Sequence, residues 1–324
     1  MTRTTLLDLY RTMVTIRLCE EAFVPHILDG TIRCPVHLYS GQEAIAAGLC
    51  GALTERDYVL GTHRSHGHFL AKGGALKALV AEVFCREDGC SRGRGGSMHL
   101  VDPDKGMLGS APIVAGTISL ALGAALAARI RRDGRVVVAF FGDGATGQGV
   151  LFEAMNFASL RKLPIVFACE NNLYSTHMPV REIRVSNPIA ALGAPFGIPA
   201  CTVDGNDVVA SYECSTKVVA ACRGGQGPAL IEFLTYRMRG HVGANDNIQG
   251  TQTDIRPQAE IDQWRAKDPI ARFERQLLAS DGASAADLSA IRNAVEREVA
   301  DAFACAAASP HPDQSELNRY VFHN

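Results

Sequence analysis

None of the ten cysteines in this 324-residue chain falls in a Cys-x-x-Cys pair, which removes the usual local signature of a zinc or dithiol redox site. Scattered from Cys19 to Cys305, they read as reduced, mostly buried thiols. No apolar run reaches the roughly 18 residues of a membrane span, so no membrane partner is expected. The opening MTRTTLLDLYRTMVTIRLCEE acquires charge too early for a secretory hydrophobic stretch, and the cytoplasm is the expected compartment. Charge of one sign is also missing: 32 basic side chains stand against 34 acidic ones. Without an electropositive footprint, nucleic acid is excluded as a partner. No linker, repeat or low-complexity tract divides the chain.

What is present is ordinary globular composition, 47% hydrophobic and 20% charged, enough to bury a large core. Residues 1–324 read as one unit with a helical extension from about 255 to 324. Helical periodicity covers residues 6–27 and 41–53, and an Ala/Leu-rich helix over 117–132 carries basic residues in its last turn, where they complement the helix dipole. Tyr58-Val-Leu-Gly61 reads as a short strand emptying into the polar loop Thr62-His-Arg-Ser-His-Gly-His68. Residues 135–141 and 163–169 are uninterrupted apolar runs, the mark of parallel strands buried on both faces, and a helix over 148–162 joins them. Further strands are expected at 200–203 and 229–235, a long loop over 240–254, and only helices beyond it. A Ser-x-x-Asp cap at Ser284 opens the helix over 284–309. Strands alternating with helices imply an α/β fold of three layers, αβα, with a mostly parallel sheet.

Chemistry concentrates in Gly142-Asp143-Gly144, at the carboxyl end of one buried strand, and Asn171-Asn172, at the end of the next, with twenty-six residues between them. Ligands of open α/β sheets bind beyond the carboxyl ends of strands, so one β-α-β unit brings Asp143 and Asn172 to a single crevice. A carboxylate and an amide oxygen suit Mg²⁺, a hard cation that completes its octahedron with phosphate oxygens and water. Gly142-Asp-Gly-Ala-Thr-Gly147 also satisfies the G-x-G-x-x-G dinucleotide fingerprint. In that reading Asp143, without a metal, would repel the pyrophosphate. The acidic residue expected roughly 20 positions on could only be Glu170, which comes late.

This spacing resembles the thiamine-diphosphate signature, and the chain is similar over nearly its whole length to the alpha subunits of 2-oxo acid dehydrogenases. Segments in the family's order are His37-Leu-Tyr-Ser-Gly-Gln-Glu-Ala44, Thr62 to His68, Gly93-Arg-Gly-Gly-Ser-Met-His99, Phe152-Glu-Ala-Met-Asn156, Val203-Asp-Gly-Asn-Asp207 and Tyr236-Arg-Met-Arg-Gly-His241. The resemblance implies the thiamine-diphosphate-binding fold, with Asp143, Asn172 and the Tyr174 carbonyl on Mg²⁺ and the backbone of Gly144 and Ala145 on the diphosphate. It implies Arg64 on phosphate and His63 beside the cofactor, where pyruvate-type relatives often carry tyrosine; the His63-Arg64 pair is more similar to the acetoin branch. The backbone of Ile113 and Val114 would meet the aminopyrimidine and help bend the cofactor. His37, His66 and His241 would face the reacting carbon as catalytic groups. The activity implied is oxidative decarboxylation of a 2-oxo acid such as pyruvate, or cleavage of acetoin, with acyl transfer to a lipoyl-bearing acyltransferase. The implied assembly is a heterotetramer of two alpha and two beta chains, the beta subunit supplying the glutamate that activates the cofactor.

Two departures stand out: Val242 replaces the phosphorylatable serine of mammalian pyruvate relatives, and Pro112, in Ala111-Pro-Ile-Val-Ala-Gly116, removes a backbone donor. Plainer readings compete at several points. His63, His66 and His68 could form a zinc cluster, although no carboxylate or thiol lies nearby in sequence. Arg92-Gly-Arg-Gly-Gly reads as a solvated turn on composition alone, and as a loop near the cofactor entrance under the resemblance. His68 and His99 could be ordinary hydrogen-bonded histidines, and Asp204 and Asp207 helix caps. A thiamine-dependent decarboxylase or transketolase-like half-enzyme that never meets lipoamide, and a catalytically silent NAD-binding subunit, are the alternative functions.

Overall fold

A computed structural model describes residues 1–185, 188–245, 255–316 and 318–319. The chain opens with α1 (Arg3–Leu28) and α2 (Glu43–Gly51), then β1 (Tyr58–Gly61), α3 (His66–Ala71), α4 (Leu76–Val83) and β2 (Met107–Ser110). Next come α5 (Gly116–Arg131), β3 (Val137–Gly142), α6 (Gly149–Arg161) and β4 (Ile165–Asn171). A small antiparallel ribbon follows, β5 (Tyr174–Ser175) with β6 (Met178–Pro179), and then α7 (Val180–Ile183), β7 (Ala200–Asp204), α8 (Val208–Arg223) and β8 (Ala229–Leu234). The helices α9 (Gln258–Arg265), α10 (Pro269–Ala279) and α11 (Ala285–Ala308) end the fold. The expected loop over residues 240–254 lies outside the described residues from 246 onward.

Six strands form one parallel sheet in the order β2-β1-β3-β4-β8-β7. Alternate side chains of β3 serve opposite layers, as the two-residue period of a strand requires. Val138 and Phe140 join the core beneath α1, α2, α4, α8, α10 and α11, while Val137, Ala139 and Phe141 join the one beneath α5 and α6. The three-layer αβα arrangement expected from the sequence is therefore the observed one. In α6 the buried residues Leu151, Ala154, Met155 and Ala158 recur at helical spacing. The cap at Ser284 is also present: its hydroxyl accepts from Asp287 N, and the Asp287 carboxylate accepts from Ser284 N at 2.8 Å.

Sequence reading missed β2, whose Met-Leu-Gly-Ser carries no β-branched residue and a glycine at φ +152°; pairing with β1 makes it a strand. It also read residues 62–68 wholly as loop, whereas α3 begins inside that run, at His66. Among the described residues no helix is long and apolar enough to cross a membrane.

The topology sets where a crevice opens. The chain leaves β1 toward β2 on one side and leaves β3 toward β4 on the other. Loops diverging at such a reversal of strand order leave a cleft beyond the carboxyl ends of the strands.

Candidate active site

In that cleft lies a cavity of about 240 Å³, walled by the segments that follow β1 (Thr62, His63, Arg64), β2 (Ala111, Ile113, Val114) and β3 (Asp143, Gly144, Ala145), with Asn172 and Tyr174 beyond β4. In-register pairing of Gly142 with Glu170 puts Asp143 beside the Asn171-Asn172 step. Asp143 opens a tight turn ending at Gly147, and α6 begins two residues later with no side chain capping its first amides. Gly144 sits close against the β5–β6 ribbon: a Cβ there would meet the Ser175 side chain, which would have to shift.

Asp143 is 2% exposed, and its Oδ2 has no hydrogen-bonding partner. Burial raises its carboxyl to about 6, while the Arg237 guanidinium and the amides of Gly144, Tyr174 and Asn172 pull the other way. The Asn172 amide donates from Nδ2 to Gln42 Oε1 at 3.1 Å, which directs its Oδ1 to the side where Tyr174 N approaches at 3.3 Å. A buried carboxylate oxygen without a partner, with an amide oxygen held in orientation from behind lining the same cavity, fits the oxygen ligands that a hard divalent cation takes.

Of the histidines, His63 and His241 line the cavity and His37 stands against both, with ring centroids 4.6 Å from His63 and 5.1 Å from His241. Nitrogens of all three lie within 4.8 Å of one another, so the trio that gathers differs from the His63, His66 and His68 zinc cluster considered above. Burial, reinforced by the Arg64 charge, pushes all three imidazoles far below the usual value, His63 to about 3, so they are neutral at pH 7. The same arginine charge opposes a cation among them. His66 is elsewhere: wholly buried, its Nδ1 meets Glu20 Oε1 at 2.9 Å and its Nε2 meets Ser97 Oγ at 2.8 Å, and it does not line the cavity. His68 likewise faces inward, bonded to Glu170 and Ser65 and stacked on Phe140 at 3.8 Å.

Arg64 lines the cavity while its guanidinium donates to the carbonyls of Leu38 at 2.5 Å and His241 at 2.9 Å. That grip ties the segments bearing His37 and His241 to the loop after β1. Ile113 and Val114 are 73% and 49% exposed at the cavity mouth. Arg92 to Gly96 is no solvated turn: the buried Glu82 carboxylate accepts from the amides of Ser91, Gly93, Gly95 and Gly96 at 2.7–3.0 Å. Asp207 caps α8 through Ala210 N, as expected, and Asp204 accepts from Asn206 N.

Two cavity residues were not singled out from the sequence. Gln42 holds Asn172 and has its own Nε2 buried without a partner, and Arg237, 1% exposed, sets the potential at Asp143 and donates to Thr176 O at 2.8 Å. Both fall inside segments that carry the resemblance, but nothing local marks either as facing Asp143.

The model of a family described as dehydrogenase E1 component matches residues 11–315. Among curated proteins, the chain is 38% identical over 314 residues to the alpha subunit of acetoin:2,6-dichlorophenolindophenol oxidoreductase from Bacillus subtilis (strain 168), covering 97% of this chain and 92% of that one. It is 39% identical over 329 residues to the pyruvate dehydrogenase E1 component subunit alpha of Porphyra purpurea, covering 99% and 94%. Its identity to the Rhizobium meliloti (strain 1021) protein of the same name is 38% over 312 residues, covering 96% and 88%.

Proposed function

Given that this chain belongs to the dehydrogenase E1 component family, we propose that it is the alpha subunit of a thiamine-diphosphate-dependent dehydrogenase. Its substrate would be a 2-oxo acid such as pyruvate, or acetoin, with the acyl group passed to a lipoyl-bearing acyltransferase. The observation that carries this reading is the unpartnered, buried Oδ2 of Asp143 at the carboxyl end of β3.

In this reading Asp143, Asn172 Oδ1 and the Tyr174 carbonyl hold Mg²⁺, and the amides of Gly144 and Ala145 meet the diphosphate at the uncapped start of α6. When bound, thiamine diphosphate supplies the nucleophilic ring carbon and the electron sink needed to break a bond beside a carbonyl. The backbone of Ile113 and Val114 supports the aminopyrimidine; Pro112 limits that stretch to carbonyl contacts at its own position. His37, His63 and His241, neutral at working pH, can accept a hydrogen bond from a substrate hydroxyl or donate one to a carbonyl oxygen. His66, between Glu20 and Ser97, acts one step back, joining α1 to the loop at Ser97.

The cavity is smaller than the roughly 300–1,000 Å³ of most small-molecule sites, and apolar side chains stand exposed at its mouth. Both features suit half a site that a beta subunit completes. Val242 leaves no hydroxyl after His241 for phosphorylation. The test is co-expression with a beta-type partner, followed by a screen of 2-oxo acids and acetoin with an artificial electron acceptor. Turnover that requires the partner, Mg²⁺ and thiamine diphosphate is the expected result; turnover unaffected by omitting the cofactor would refute the reading.

A further inference from the structure

At the sheet's edge, apart from the residues that line this cleft, the strand β7 and the helix α8 that follows it bring two thiols together. Along β7 the side chains alternate, with Cys201 and Val203 turned into the core shared with α8 and Ala200, Thr202 and Asp204 exposed. Cys214 lies on the inner side of α8, within the same core rim. The two Sγ atoms are 3.0 Å apart, closer than sulfurs in ordinary van der Waals contact, and both residues are only partly buried, so solutes can reach them. A disulfide at about 2.05 Å needs roughly an ångström of combined sulfur travel. The pair is invisible to a search for Cys-x-x-Cys because a turn and half a helix intervene in the chain.

A metal is the rival occupant of a dithiol, but tetrahedral zinc needs further ligands. Among the described residues the one cluster of three or more candidate ligands is His37, His63 and His241, so nothing completes a site around these sulfurs. We propose that Cys201 and Cys214 form a redox-active dithiol that closes to an intramolecular disulfide when the chain meets a two-electron thiol oxidant such as hydrogen peroxide.

The roles within the pair are unequal. Either sulfur can donate in the thiol–thiol hydrogen bond; with Cys214 as the acceptor, favoured by the Lys217 charge nearby, its thiol is held below the usual range, whereas Cys201 is raised. Thiolate character makes Cys214 the nucleophile. Its sulfur attacks one peroxide oxygen, the O–O bond breaks and hydroxide leaves, giving a sulfenic acid. Cys201 then attacks that sulfur, the S–O bond breaks, and the departing hydroxide takes the Cys201 proton as water. Two electrons pass from the thiols to peroxide. The disulfide would pin the sheet's edge strand to α8 and enclose the Asp204–Asp207 turn.

The test is oxidation of the full chain with hydrogen peroxide, alkylation of the remaining thiols without reduction, and peptide mapping. The expected result is a cross-linked species joining the Cys201 and Cys214 peptides, lost on treatment with dithiothreitol. In Cys201→Ser, Cys214 should be trapped by dimedone as the sulfenic acid; in Cys214→Ser, Cys201 should give neither adduct nor cross-link. Should the variants fail to fold, the map of the unaltered chain decides alone. Recovery of both cysteines as alkylated thiols while the exposed Cys305 is oxidised, or linkage of either to a different cysteine, would overturn the proposal.

Discussion

Asp143 carries an energetic cost of burial that the Arg237 guanidinium and three backbone amides offset only in part. With its carboxyl raised to about 6 in the fold, against an ordinary 3.8, the ionised form destabilises the metal-free chain at pH 7 by roughly 3 kcal/mol. Asp143→Asn should therefore raise the unfolding free energy of the metal-free chain while weakening cofactor binding, and thermal melts with and without Mg²⁺-thiamine diphosphate separate the two effects. The histidines act in the opposite sense. The folded values of His37, His63 and His241 lie below the ordinary 6.5, so the unfolded chain binds more protons and stability falls as pH drops below about 6.5. From pH 7 to 5.5 each should cost on the order of 1 kcal/mol, partly countered by Asp143. His63→Gln should flatten the fall in melting temperature measured across that window. Asp143 and Asn172 were legible in the sequence because a strand end fixes where its next residue points. Gln42 and Arg237 were not, since each reaches Asp143 or Asn172 from an element remote in the chain. His66 was misplaced for a local reason: it opens a helix that turns its ring toward Glu20 of α1, while His63, three residues earlier, stays in the loop.

At the level of elements, the buried runs that became β3 and β4 and the helix between them could be read directly, because parallel strands buried on both faces leave long apolar stretches. Loop shape could not. Composition makes Arg92 to Gly96 look solvated, yet three of its amides and that of the preceding Ser91 converge on the carboxylate of Glu82, which arrives from α4. Glu82→Gln would face those amides with an NH₂ group in place of one oxygen, a loss of roughly 2–4 kcal/mol for a buried charged acceptor. Limited proteolysis should then cut between residues 86 and 99 faster than in the unaltered protein, with α11 and the sheet unaffected. Unchanged cleavage would show that the clasp does not hold the loop.

For the molecule as a whole, the sequence foretold three layers and a helical end, but the extent to which the cavity is open emerges only from the assembled sheet. Ile113 and Val114 sit at its mouth with most of the Ile113 side chain in solvent, and in the proposed assembly this adjacent apolar pair is covered by the beta subunit. Ile113→Asp should leave the melting temperature of the isolated chain within about a degree, since little packing is lost. It should nevertheless reduce co-elution with the beta partner; retention of the full complex would place the interface elsewhere.

In the proposed function Asp143 anchors a metal-bound diphosphate. The most direct test is calorimetric titration of the assembled alpha–beta complex with thiamine diphosphate, with and without Mg²⁺, for the unaltered protein and Asp143→Asn. Binding should depend on Mg²⁺ and weaken at least about tenfold in the variant, a loss of about 1.4 kcal/mol or more. Equal affinity in the two proteins, or binding indifferent to Mg²⁺, would contradict it.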